Sequence, residues 1–220
     1  MTHHDATTSH GERRLQAHLG SRERADAFYG RQVHAHLTAA MREFIQRQSM
    51  VFLSTADARG QCDATFRAGP PGFIATLDDR TLAYPEYRGN GVFASAGNIT
   101  ENPHIGLLFM DFTHDHIGLH VNGSAGLVSD HELRGAHPYL PTDTAPGRRP
   151  LMWTLINVHE AYVHCSKHIP HLEPAPRTAS SPKRPKDADY FVEEHTAAAT
   201  MPGLGESGPL EQLHPGMVDL

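Results

Sequence analysis

The sequence predicts a mostly β protein: an antiparallel barrel or sandwich of six or seven strands, flanked by short helices. Three observations carry that expectation. Short apolar runs suited to strands recur at hairpin spacing between Met50 and Val163. Only short helical patterns lie between them, so the strands do not alternate with long helices as in a parallel α/β sheet. No GxGxxG follows a strand, which removes a dinucleotide-binding doubly wound fold.

Taken in order, residues 11–34 are polar with sparse apolar positions and read as one or two short surface helices. Leu37, Met41, Phe44, Ile45 and Gln48 fall at i, i+4, i+7, i+8 and i+11, the stripe of an amphipathic helix. The period then changes. MVFLST (50–55) reads as a strand, DARG (57–60) as a hairpin turn, and 61–67 as the returning strand, closed by GPPG (69–72). Residues 73–77 and 81–84 are expected to form a second strand pair around Asp78-Asp79-Arg80. VFASAGNITE (92–101) suits a short helix that stops before Asn102-Pro103. IGLLFMDF (105–112) is nearly continuous apolar, as in a strand buried on both faces. Residues 116–130 alternate, with Ile117, Leu119, Val121, Gly123, Ala125 and Leu127 on one face. A variable loop leads to a last strand over 153–163.

Apolar residues make up 39% of the 220-residue chain and concentrate between Leu37 and Val163. The expected organisation is an N-terminal polar, helical extension (1–36), one core domain (37–171) and a Pro-rich tail (172–220). The tail cannot bury enough apolar surface to offset its ordering entropy, so disorder is expected there. A net charge of −6 with scattered basic residues argues against a nucleic-acid partner. The one basic knot, Lys183-Arg184-Pro-Lys186, reads as solvated linker. No stretch of about 18 apolar residues offers a membrane-spanning helix. Two cysteines, Cys62 and Cys165, are too few for a disulfide scaffold, and the N-terminus has no apolar leader region. A cytoplasmic protein is expected.

A set of motifs then narrows the fold. The run LAYPEYRGNG (82–91), SAGNITENP (95–103) and the apolar strand ending FMDF (109–112) follow one another in order. RAGPPGF (67–73) precedes them; HGE (10–12) with Gln16, and CSKHI (165–169), flank them. In order and spacing the chain resembles the pyridoxamine 5′-phosphate oxidase-like, FMN-binding split β-barrel family, over about residues 10–171. The resemblance implies a homodimer with FMN in grooves between subunits. It implies that the phosphate is held by the strand bearing Arg67 and by the segment 87–98.

The residue types fit that role. A planar Arg67 fork can meet a phosphate bidentately. Gly89 lets backbone N–H groups approach closely, Asn90 and Ser95 offer short donors, and Asn98 stands beside the following helix. Tyr87 can line the ribityl chain or the ring edge. Each has a plainer reading: a surface charge for Arg67, a common turn for Gly89-Asn90, helix caps for Ser95 and Asn98, interface packing for Tyr87. The sequence also departs from the family pattern. Pro71 and Gly72 stand where a second basic residue is expected, Arg88-Gly-Asn90 replaces a Ser-Arg-Lys phosphate element, and the Arg-rich C-terminal substrate signature is absent. Oxidation of pyridoxamine phosphate itself is therefore not expected. The leading expectation is an FMN-binding oxidoreductase acting on a small-molecule redox substrate. The alternatives are a deazaflavin (F420) or haem split barrel, and a non-catalytic flavin- or metal-binding module.

Eighteen histidines are dispersed along the chain. In HCSKHIPH (164–171), a helical turn would bring His164, Cys165 and His168 together as zinc ligands; a strand-to-helix junction explains the same residues without metal. His171 completes that cluster in the sequence, but no metal is assigned. His34/His36 and His114/His116 are HxH pairs, and His116 and His120 share the polar face of a strand that could edge a flavin groove. No GxSxG, HExxH, P-loop or CxxC is present.

Overall fold

The computed structural model describes residues 8–143 and 145–173. Helix α1 (His10–His18) opens with a reciprocal capping box between Ser9 and Glu12. Helix α2 (Arg22–Gln32) follows, and α3 (Ala39–Arg47) starts at Thr38, whose hydroxyl accepts from the Met41 N–H. The apolar stripe lands as expected: Leu37, Phe44, Ile45 and Gln48 are buried.

Strands β1 (Met50–Ala56) and β2 (Cys62–Ala68) form a hairpin in register Met50↔Ala68 to Ala56↔Cys62. Its turn closes through Asp57 N–H to Gln61 and Gly60 N–H to Asp57, with Gly60 at φ 79°. The second strand pair is shorter on its first side than the sequence suggests: β3 is only Ala75–Thr76, against β4 (Thr81–Glu86). At its start the Phe73 N–H bonds back to the Pro70 carbonyl at 2.9 Å, closing a turn rather than a ladder. Helix α4 (Ala94–Glu101) leads into β5 (His104–Met110), β6 (Gly118–Ser129), α5 (Asp130–Ala136) and β7 (Met152–His164). Helix α5 falls within the segment expected to be strand end and loop. Its signal was present in SDHE (129–132), where Ser129 accepts from the Glu132 N–H. Strand β5 buries alternate residues rather than both faces, because Gly106 and Leu108 lie on the outer side of the sheet.

The sheet order is β2-β1-β5-β6-β7-β4-β3, antiparallel throughout. Its two edges, β2 and β3, do not pair, so the barrel is split rather than closed. The interior holds Leu37, Ile45, Val51, Leu53, Leu82, Tyr84, Leu107, Phe109, Val121 and Ile156. A satellite core of Ala75, Ala83, Leu133, Leu140 and Trp153 lies under α5, where the Trp153 indole donates to Asp130 at 2.8 Å. The N-terminal segment is bound to the barrel. His34 and Ala161 exchange two backbone hydrogen bonds, and Phe28 meets Tyr162 edge to face. The tail expected to be disordered lies outside the described residues from 174 onward. Among the described residues, no helix is long and apolar enough to cross a membrane.

Candidate functional site

The split opens a groove at which most of the candidate residues gather. Alternation along β2 sends Asp63, Thr65 and Arg67 to one side and Ala64 and Phe66 to the other. Across the seam, β4 ends at Glu86, and the chain turns through Tyr87–Phe93 before α4 begins. That turn uses left-handed backbone at Gly89 (φ 47°), Gly91 (φ 80°) and Phe93 (φ 53°). Such geometry is ordinary for glycine and uncommon for phenylalanine. The Asn90 carboxamide oxygen accepts from the Val92 N–H at 3.0 Å, and Gly91 N–H bonds Arg88 at 2.9 Å. Phe93 offers no side-chain cap to α4.

Between these walls lies a cavity of about 400 Å³, within the size range of small-molecule sites. It brings together five of the six residues singled out from the sequence: Arg67, Tyr87, Gly89, Asn90 and Ser95. Asn98 is not among the lining residues. Its amide donates to the Thr55 hydroxyl at 3.0 Å and ties α4 to β1. The sequence reading missed Asp63, Thr65 and Glu86, which also line the cavity. Strand parity with Arg67 would have placed the first two. Glu86 required knowing that β4 faces β2 across the gap.

Arg67 is held from two sides. Its Nη1 donates to the Thr65 hydroxyl at 3.1 Å and to the Phe66 carbonyl at 3.3 Å. Its Nη2 reaches both Glu86 carboxylate oxygens at 3.3 and 3.4 Å. Glu86 is only 5% exposed and also accepts from the Thr154 hydroxyl at 3.4 Å. Beneath them Tyr84 is fully buried, and its hydroxyl makes no well-formed hydrogen bond. Burial, then the Glu86 charge, pushes the Tyr84 hydroxyl pKa far up, so it stays protonated. Tyr87 is also raised, by burial first and then by Asp143, with Arg148 opposing. The lining carries two cations, Arg67 and Arg88, and two carboxylates, Asp63 and Glu86. Arg67, Asn90, Ser95 and the glycine-rich turn supply donors of the kind a phosphate group takes, with Arg67 already engaged by Glu86.

A larger cavity of about 710 Å³ opens beside Arg47, Met110 and the 111–115 loop. Of its carboxylates, Asp111 is already committed. Burial opposes ionisation there, but the N–H groups of His114, Thr113 and Asp115 outweigh it and hold the pKa at about 2. The histidine motifs meet only in pairs. His164 ends β7 and meets His120 at 2.9 Å, while His171 meets His116. The segment after His164 is a turn with His168 at φ 66°, not the helix that would have gathered His164, Cys165 and His168. Among the described residues, no three His, Cys, Asp or Glu side chains are grouped to hold a metal. His120 lines a separate cavity on the outer sheet face with Phe52, Leu108 and Asn122.

No curated protein gives a significant match. HupZ of Group A Streptococcus is 21% identical, covering 58% of this chain and 93% of that one, with a TM-score of 0.43. General Stress Protein 26 of Bacillus anthracis str. Sterne is 20% identical over 55% of this chain and 88% of that one (TM-score 0.37). An FMN-binding protein of Syntrophomonas wolfei subsp. wolfei is 13% identical over 56% and 82% (TM-score 0.43). A family model described as pyridoxamine 5′-phosphate oxidase matches residues 37–165, more than half of the chain. That span runs from the entry to α3 through the end of β7 and includes both walls of the groove. On this match the chain belongs to the pyridoxamine 5′-phosphate oxidase family.

Proposed function

We propose that the chain binds FMN in the groove between β2 and the 87–95 turn, and acts as a homodimeric FMN-dependent oxidoreductase on a small-molecule substrate. One observation carries the reading. Arg67 lies on β2 and the Tyr87–Ser95 segment follows β4, two strands that do not pair, yet both line a single cavity. Arg67 supplies the charge-assisted contact to the phosphate, with Asn90 and Ser95 as further donors. Tyr87 lines the side of the groove toward the rest of the ligand. A bound flavin would supply hydride transfer at its N5, so the protein's share is position and electrostatics rather than an obligatory acid or base. Because Pro71 and Gly72 stand where a second basic residue is expected, a substrate other than pyridoxamine phosphate is proposed.

The test is uptake of cofactor by purified protein, read in the visible spectrum after gel filtration. Flavin bands eluting with the protein are expected. A Soret band would move the reading to haem. Uptake of deazaflavin in place of FMN would change the cofactor but keep the groove, and a protein that takes up none of the three would overturn it.

A further inference from the structure

The Arg67–Glu86 pair has an unusual setting. β2 and β4 are not hydrogen-bonded neighbours, so this ion pair is a polar link across the open seam. Its distances, 3.3 and 3.4 Å, lie at the loose end of the hydrogen-bond range. The carboxylate is buried, with Arg67 as its cation and Thr154 as its other donor. Asp63 adds a second negative charge to the same lining. An anion approaching Arg67 therefore meets a contact already made, and a fixed negative charge behind it.

We propose that Glu86 is a specificity-determining residue: it acts as a resident counter-anion on Arg67 that rejects free phosphate and small phosphate esters. A ligand displaces it only by adding contacts along the 87–95 turn. The cause is Coulombic. In a partly buried site, two like charges a few ångströms apart repel by far more than in water, while free phosphate has no other contacts to offset this. A ligand whose body fills the groove does. This selectivity rests on the groove reading given under Proposed function, but its central test does not require a flavin.

Titration calorimetry of the full-length protein with inorganic phosphate at constant ionic strength tests it directly. The wild type should show no saturable binding at millimolar phosphate; saturable binding would overturn the proposal without any variant. Glu86→Gln keeps the size and the acceptor but removes the charge. It should show saturable phosphate binding in the millimolar range where the wild type shows none, and Glu86→Met supplies the same test should the amide variant not fold. Glu86→Asp keeps the charge and should keep the rejection. Phosphate affinity unchanged in Glu86→Gln, or raised equally in Glu86→Asp, would sink the idea. In Arg67→Ala/Glu86→Gln the gain should vanish, and its persistence would place the effect elsewhere. FMN titrated against the same proteins separates the two readings. A phosphate gain in Glu86→Gln with no FMN uptake by any of them would defeat the flavin reading and leave the counter-anion in place.

Discussion

At Arg67 the guanidinium divides its donors between the β2 strand, through Thr65 and Phe66, and Glu86 across the seam. Hydrogen bonds to charged partners contribute roughly 1.5–3 kcal/mol. Arg67→Ala should therefore weaken FMN binding by about 2 kcal/mol, read by quenching of flavin fluorescence; unchanged affinity would move the phosphate site off β2. His120 offers a second test at this scale. Burial, and then the neighbouring His164, hold its pKa below the ordinary 6.5, and its ring stacks on Tyr162. The folded state thus favours neutral His120. Its stabilising contribution is present above pH 6.5 and is lost as pH falls through the lower folded pKa. His120→Phe keeps the stacking but cannot titrate. Its melting temperature should fall less steeply than that of the wild type below pH 6.5, and parallel curves would contradict the assignment.

Among the elements, the long β6–β7 ladder requires a glycine at its bulge. Register shifts between Asn122 and Gly123, and a side chain at Gly123 would place its Cβ 2.1 Å from the Asn157 carbonyl oxygen. Backbone cannot yield there as a flexible side chain would. Gly123→Ala should cost about 3 kcal/mol, the upper part of the usual overpacking range, seen as a lowered urea midpoint at unchanged slope. The sequence placed Gly123 on the core face of a strand but gave no sign of the bulge. A bulge is a property of the pair, and only β7 beside β6 reveals it. The β5 outcome has the same origin. IGLLFMDF is apolar enough for burial on both faces, yet its outer face is left half open by the neighbours the chain supplies.

For the whole molecule, the outer sheet face carries Phe52 and Phe66, 42% and 48% exposed, with ring centroids 5.4 Å apart. Leu108 lies beside Phe52 on the same face. An apolar face of this kind suits association with a second copy of the chain. Phe66→Asp should convert the expected homodimer to monomer in light scattering, and an intact dimer would locate the interface on another face. Phe66 is next to Arg67 but points away from the groove, so the same variant asks whether assembly and FMN uptake are linked.

The sequence alone determined the order and type of most elements. Their periodicities and turn residues are local, and the antiparallel strands follow one another at hairpin spacing. Through its family resemblance it also singled out Arg67 and the 87–95 turn as segments expected to hold a phosphate. Only the tertiary structure decided that these segments share one cavity, that Asn98 braces Thr55, and that the histidines of 164–171 separate. Those outcomes depend on which strands stay unpaired at the split and on backbone angles such as that at His168, and neither is written in local pattern. The same reason hid Glu86, a buried carboxylate whose partner lies on a strand it never pairs with.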